Sequence, residues 1–212
     1  MAKIGIMGGT FNPIHNAHIQ IAKAAYEQFN LDEIWFMPNH IPAYKNAKEV
    51  ISGKIRLRMV QTAIKDFPYF SVSDYEINRT GKTYTYETLS LLAKDYPEHS
   101  FYFIMGADSL FYFEKWKHPE IITKHASVLV AVRDDKGPKE IQDKMDFLNQ
   151  IYGENTFSPI ITPVYTGSSS EIRNAFYQKE YHTMPLDDFL NKYHITKETY
   201  QLIIQNNLYT SL

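Results

Sequence analysis

Two stretches of the chain carry residue types and spacings suited to phosphate chemistry. The first runs Gly8-Gly9-Thr10-Phe11-Asn12-Pro13-Ile14-His15-Asn16-Ala17-His18, after a short apolar lead. Its glycines let the backbone turn sharply and approach a ligand without Cβ hindrance. A helix opening near His15 offers free N–H groups and the positive end of its dipole to an anion. His15 and His18, three apart, then share its first turn. The plainer alternative is a strand–turn–helix with surface histidines. The second stretch, Ser168-Ser169-Ser170-Glu171-Ile172-Arg173, sets three hydroxyls ahead of an arginine at an expected helix start. Such an arginine suits phosphate oxygens, while Ser-Ser-Ser-Glu is also good capping chemistry. Both can hold, because a capped N-terminus is itself an anion site.

Two common phosphate motifs are absent. No GxGxxG follows the first strand, and Gly81-Lys82-Thr83, which imitates a P-loop lysine, has Glu76 where the earlier glycine belongs. Hydride transfer on a dinucleotide site and P-loop hydrolysis both lose weight.

The elements that must position these residues alternate. Strands are expected at Lys3–Met7, Glu33–Met37, Phe70–Asp74, Phe101–Met105, Ser127–Val132 and Ile160–Val164. Helices are expected at His15–Phe29, Gly53–Asp66, Thr85–Lys94 and Pro138–Tyr152, the first with His18, Ala22, Ala25 and Phe29 on one face. Three helical pieces then follow, near Ser169–Tyr177, Pro185–Lys192 and Thr196–Asn207. Strand–helix alternation argues for an α/β, doubly wound parallel sheet covered on both sides. The expected organisation is a nucleotide-binding α/β domain over 1–166 with a small helical C-terminal subdomain, 167–212, packed on it as one structural unit. In such sheets ligands sit beyond the carboxyl ends of the strands. Gly8–His18, Pro38–Lys45, Gly106–Trp116, Arg133 and Thr166–Arg173 therefore converge on one rim.

Composition narrows the class further. The 212 residues are 44% hydrophobic and 15% aromatic, enough for a substantial core, and the net charge of −2 disfavours broad attraction to nucleic acid or membranes. No apolar run reaches membrane-spanning length and the start lacks a signal-peptide pattern, so a cytoplasmic protein is expected. With no cysteine, disulfides, thiolate catalysis and cysteine-held metals are excluded. The histidines at 40, 99, 118, 125, 182 and 194 show no metal-ligand pattern, and no protein-held metal is expected.

At this point the residues resemble a family. Gly9-Thr10-Phe11-Asn12-Pro13 with His15-Asn16-Ala17-His18 is similar to the GTFDPxHxGH signature of the HIGH-type nucleotidyltransferases. Ser168-Ser169-Ser170-Glu171-Ile172-Arg173 is similar to their SSTxIR signature. Between them, Arg79-Thr80-Gly81-Lys82-Thr83-Tyr84-Thr85-Tyr86-Glu87-Thr88-Leu89 resembles the RxGxSYTxDTL block of bacterial nicotinate-mononucleotide adenylyltransferases. Gly106-Ala107-Asp108-Ser109-Leu110, with Trp116 ten residues after the glycine, resembles the same branch. The likeness covers roughly residues 3–175 with motif order intact. Asn12, Ala17, Ser170, Ala43-Tyr44-Lys45 and Arg133-Asp134-Asp135 depart from the usual aspartate, glycine, threonine, Pro-His-Lys and Arg-Pro-Gly.

The resemblance implies a Rossmann-like fold and adenylyl transfer from ATP to nicotinate mononucleotide, without a covalent enzyme intermediate. It assigns the α-phosphoryl group to His18, with His15 beside it, and the β- and γ-phosphates to Arg173. It gives ATP the surroundings of Gly8, Gly9, Thr10, Phe11, His15, His18, Gly106, Asp108, Ser168, Ser169, Ser170 and Ile172, with Asp108 at the ribose. Nicotinate mononucleotide falls to Thr10, Lys45, the backbone amides of Thr85 and Tyr112, the ring of Trp116 and the charge of Arg133. Read without the family, Asp108 is an N-cap, Trp116 is core and Lys45 is solvated. Mg²⁺ is expected on the ATP phosphates, small molecules are the expected partners, and a homodimer stays open. Phosphopantetheine adenylyltransferases share the triple serine, cytidylyltransferases share the fold, and a non-catalytic nucleotide-binding regulator is the alternative from another class.

Overall fold

The computed structural model describes residues 1–42, 50–132, 137–162 and 167–210. Six strands form the main sheet: β1 (Lys3–Gly9), β2 (Glu33–Pro38), β4 (Phe70–Val72), β6 (Ser100–Gly106), β7 (Ala126–Ala131) and β8 (Phe157–Ile160). Every pairing is parallel and the order is β4-β2-β1-β6-β7-β8. The chain order therefore reverses between β1 and β6. That switch point opens a crevice at the carboxyl ends of the two strands.

Alternation along β1 divides the core. Ile4 and Ile6 enter the layer with Phe103, Val128, Leu89 and Leu148, whereas Met7 enters the layer with Ile34, Phe36 and Ala22. Helices cover both faces: α1 (Asn16–Phe29), α2 (Gly53–Ile64), α3 (Thr85–Asp95), α5 (Pro119–His125) and α6 (Pro138–Tyr152), with one short turn of helix at α4 (Ala107–Leu110). The C-terminal helices α7 (Ser169–Tyr177), α8 (Leu186–Tyr193) and α9 (Lys197–Gln205) contribute Ile172, Phe176, Phe189 and Ile203 to the same core as Met7 and Phe36.

Polar ties hold these helices to the opening loop. The Asn16 amide donates to the His194 carbonyl at 2.8 Å, and the Ser169 hydroxyl to the Pro13 carbonyl at 2.8 Å. Near the chain end, the buried Tyr209 hydroxyl donates to Asn12 Oδ1 at 2.8 Å, and burial pushes that phenol's pKa up. Asn12, a departure from the family's usual aspartate, is thus the acceptor that seats Tyr209.

The structure corrects several boundaries. The sixth strand, expected at Ile160–Val164, is Phe157–Ile160, and residues 163 and 164 of the expectation lie outside the described residues. Phe157 packs edge-on against Phe113 at 5.0 Å and starts the pairing with Val128, whereas Ile161 is 75% exposed beyond the strand end. Helix α1 begins at Asn16 with His15 as its N-cap. Two features escape the periodicity altogether. Helix α5 spans seven residues, too few to display a period. Strands β3 (Ile41–Pro42) and β5 (Lys82–Thr83) pair in parallel as a two-residue ribbon, so Lys82 belongs to a strand and not to a phosphate loop.

Candidate active site

A cavity of about 370 Å³ occupies the switch-point crevice, walled by Gly8, Thr10, His18, Asn39, Thr85 and Trp116 among others. The loop after β1 makes its first wall. Phe11 holds a left-handed backbone (φ 47°), and its buried ring packs edge-to-face on His18 at 5.1 Å. A Cβ on Gly9 would stand 3.0 Å from that ring, so any larger residue there must push the Phe11 ring by a few tenths of an ångström.

His18, half-buried in the first turn of α1, lines the cavity. The backbone N–H of His15 donates to its Nδ1 at 3.3 Å, and the two rings lie 3.9 Å apart. An Nδ1 that accepts places the proton of a neutral ring on Nε2, leaving that nitrogen as a donor. His15 is 4% exposed and stands behind His18 instead of projecting beside it into the cavity. The expected pair of parallel histidines is therefore one cavity histidine backed by a buried cap.

Beneath the loop lies a residue that sequence reading missed. Arg56, on α2, is 1% exposed. Its guanidinium donates to the carbonyls of Thr10 (2.8 Å), Asn39 (2.6 Å), His40 (3.1 Å) and Ile51 (3.1 Å), and to Asn39 Oδ1 (3.3 Å). Burial lowers its pKa to about 10. These bonds lock the loop after β1 to the loop after β2, two walls of one cavity. In sequence, Arg56 is one of several basic residues on an amphipathic helix, and nothing local marks it. Replacement by methionine leaves four backbone carbonyls without this donor, each costing about 1–3 kcal/mol when it stays dry. We expect Arg56→Met to lower unfolding stability by about 3 kcal/mol or more, read as a lower urea midpoint at unchanged m. A wild-type midpoint would show that the loops do not depend on it.

The second wall comes from the β5–α3 corner. Thr85, the first residue of α3, lines the cavity; the N–H groups of Thr85 and Tyr86 have no carbonyl a turn below them, whereas Glu87 already donates to the Tyr84 carbonyl at 3.1 Å. Glu76 lies on the same wall, its carboxyl bonded by the Thr88 hydroxyl at 2.6 Å, and burial raises its pKa. Trp116 supplies a flat apolar wall, set edge-on to Phe103 at 6.1 Å. Tyr112 is placed differently from expectation. Its side chain is 59% exposed and its backbone N–H already donates to the Ser109 carbonyl at 3.2 Å.

The remaining predicted residues gather at the rim. Gly106 ends β6, and the space its Cβ would fill is open; Asp108, exposed, lies two residues on, in the first turn of α4. Ser168 caps α7 by accepting from the Glu171 amide at 3.2 Å, and it borders a second cavity of about 330 Å³ with Gly167 and Ile172. The half-buried Arg173 donates to the Asn12 carbonyl at 2.9 Å and to Ser170 Oγ at 3.1 Å, which sets its guanidinium against the opening loop. The Ile172 and Phe11 side chains are buried, so only their backbones can reach a ligand. Lys45 and Arg133 lie outside the described residues. Among the described residues, no group of three His, Asp or Glu side chains could hold a metal ion, and no helix is long and apolar enough to cross a membrane.

This geometry has known relatives. The cytidylyltransferase-like family model matches residues 6–175. A probable nicotinate-nucleotide adenylyltransferase of Lachnoclostridium phytofermentans is 51% identical over 152 residues, 72% of this chain and 76% of that one. One of Clostridium acetobutylicum is 34% identical over 209 residues, covering 99% of this chain and 100% of its own. The chain belongs to the nicotinate-nucleotide adenylyltransferase family. Among solved structures, the Plasmodium falciparum nicotinic acid mononucleotide adenylyltransferase complexed with NaAD superposes with a TM-score of 0.77 at 22% identity, covering 99% of this adenylyltransferase and 98% of that chain. That likeness establishes the Rossmann-like nucleotidyltransferase fold.

Proposed function

We propose that this adenylyltransferase joins ATP to nicotinate mononucleotide, giving nicotinate adenine dinucleotide and pyrophosphate, a step of NAD biosynthesis. The observation that carries this reading is one cavity at the switch point that collects His18, the opening of α3 and the Trp116 ring. A phosphate oxygen of the mononucleotide attacks the α-phosphorus of ATP. The bond from that phosphorus to the bridging oxygen breaks opposite it, and the electron pair leaves with pyrophosphate. No side chain needs to become a nucleophile. The protein orients two polyanions and stabilises charge as it shifts to the leaving oxygen.

His18 supports that charge from Nε2, with His15 fixing its ring. ATP takes the turn Gly8–Phe11, the open space at Gly106, Asp108 and the start of α7, where Ser168–Ser170 and Arg173 face its outer phosphates. The mononucleotide takes Thr10, the start of α3 and the Trp116 ring. Lys45 and Arg133 are assigned to add positive charge for the mononucleotide. Because the Tyr112 amide is already bonded, Thr85 is the stronger candidate for the nicotinate carboxylate. Mg²⁺ enters with the triphosphate, held by phosphate oxygens and water. The reading places the enzyme in the cytoplasm.

Calorimetry tests this division of the site. Arg173→Ala removes one charge-assisted contact, so ATP binding should weaken by about 1.5–3 kcal/mol while nicotinate mononucleotide changes far less. Wild-type ATP affinity, or an equal loss for both ligands, would contradict the assignment of Arg173 to the triphosphate.

A further inference from the structure

The cavity holds a cation that neither the motifs nor the reaction scheme uses. Lys117 follows Trp116 directly and lines the same wall. Among the described lining residues it supplies the lysine or arginine charge. Its ammonium sits 4.4 Å from the ring centre of Tyr84 and 5.6 Å from that of Tyr86. Tyr84 is the N-cap of α3 and Tyr86 lies in its first turn. The ammonium is therefore held at the start of the helix, on the wall assigned to the pyridine ring. Glu87 is the nearest acidic group on that helix, but it is already bonded by Arg79 at 2.7 Å and by the Tyr86 hydroxyl at 2.8 Å. Glu76 is engaged by Thr88. Lys117 is thus held against these rings and the Tyr86 hydroxyl, and its charge reaches Glu87, but among the described residues neither Glu87 nor Glu76 takes it as an ion-pair partner.

A second observation on the same wall points to a ligand. The Thr83 hydroxyl is buried, lines the cavity, and has no partner in ordinary hydrogen-bond geometry, although it lies near enough to Glu76 to favour that carboxylate's charge. A buried hydroxyl without a partner is costly unless a bound group satisfies it. A carboxylate between Thr83, the start of α3 and Lys117 would meet donors on three sides.

We propose that Lys117 is a specificity-determining residue, pairing with the carboxylate on the pyridine ring and raising preference for the acid over its amide. The proposal rests on the mononucleotide site described above. An amide in the same place offers the ammonium only a neutral carbonyl acceptor, whereas a carboxylate gains a charge-assisted pair. The pair is partly exposed, so its effect is moderate and falls with added salt.

The test compares kcat/KM for nicotinate and nicotinamide mononucleotides in wild type, Lys117→Met and Lys117→Arg, at low and high potassium chloride. In Lys117→Met the acid-to-amide ratio should fall about fivefold, and the salt dependence of that ratio should flatten. Lys117→Arg should restore most of both. A merely structural role for the residue would alter both substrates together and leave the ratio alone. A ratio within twofold of wild type in Lys117→Met overturns the role of Lys117 and spares the site. Equal efficiencies for the two mononucleotides in the wild type overturn the carboxylate site itself, and Lys117 with it.

Discussion

Replacing His18 with alanine should lower kcat by roughly 10²–10³-fold, the size of effect produced by removing one preorganised donor from a developing oxyanion. The ring lines the cavity and its Nδ1 is occupied by the His15 amide. What the substitution removes is therefore a fixed Nε2 donor, not a mobile base. Its contact strengthens as negative charge builds on the leaving oxygen, so ATP affinity should change much less than kcat. His18→Asn is the informative companion, because it keeps polarity near the helix start but loses the reach of the imidazole. A folded His18→Ala protein with wild-type kcat would remove His18 from the chemistry.

The second large effect is discrimination between mononucleotides. Nicotinate mononucleotide should be used at least about 10²-fold more efficiently than the nicotinamide form. A carboxylate accepts at both oxygens from the N–H groups at the start of α3, whereas an amide NH₂ turns a donor toward donors. Leaving such groups unpaired in a dry pocket costs about 1–3 kcal/mol each. Trp116 offers the same face to either ring, so Trp116→Ala should weaken both substrates and leave their ratio nearly intact. Steady-state kinetics on the two mononucleotides with both proteins reads out the two statements together. Equal wild-type efficiencies would sink the carboxylate site, and a ratio that collapses in Trp116→Ala would show that the tryptophan does more than stack.

How much of this was legible in the sequence depended on distance along the chain. The doubly wound sheet could be read because each strand is a short apolar run followed by its own helix, a local pattern. The opening loop could be read for the same reason: Gly8 to His18 are contiguous, and their types carry the turn and the helix start together. Arg56 could not. Its environment is made by carbonyls at positions 10, 39, 40 and 51, so its burial is a tertiary fact with no local trace. Tyr209 is a sharper case, bonded to a residue 197 positions away. His15 shows a different limit. Spacing put both histidines on one helical turn, but the helix starts one residue later, and His15, as its cap, is buried. The strand placed at Ile160–Val164 slipped because Ile161 looks like core and is solvent-exposed, while Phe157, the residue that packs, stands among polar neighbours.

The central claim is that one crevice joins two nucleotides without spending ATP in the absence of the second. The most direct measurement quantifies pyrophosphate and dinucleotide together, from MgATP with and without nicotinate mononucleotide. We expect the two products in equal amounts when the mononucleotide is present, and no pyrophosphate above background when it is omitted. Pyrophosphate released at the same rate without the mononucleotide, or mononucleotide left unconsumed beside ATP, would contradict the account.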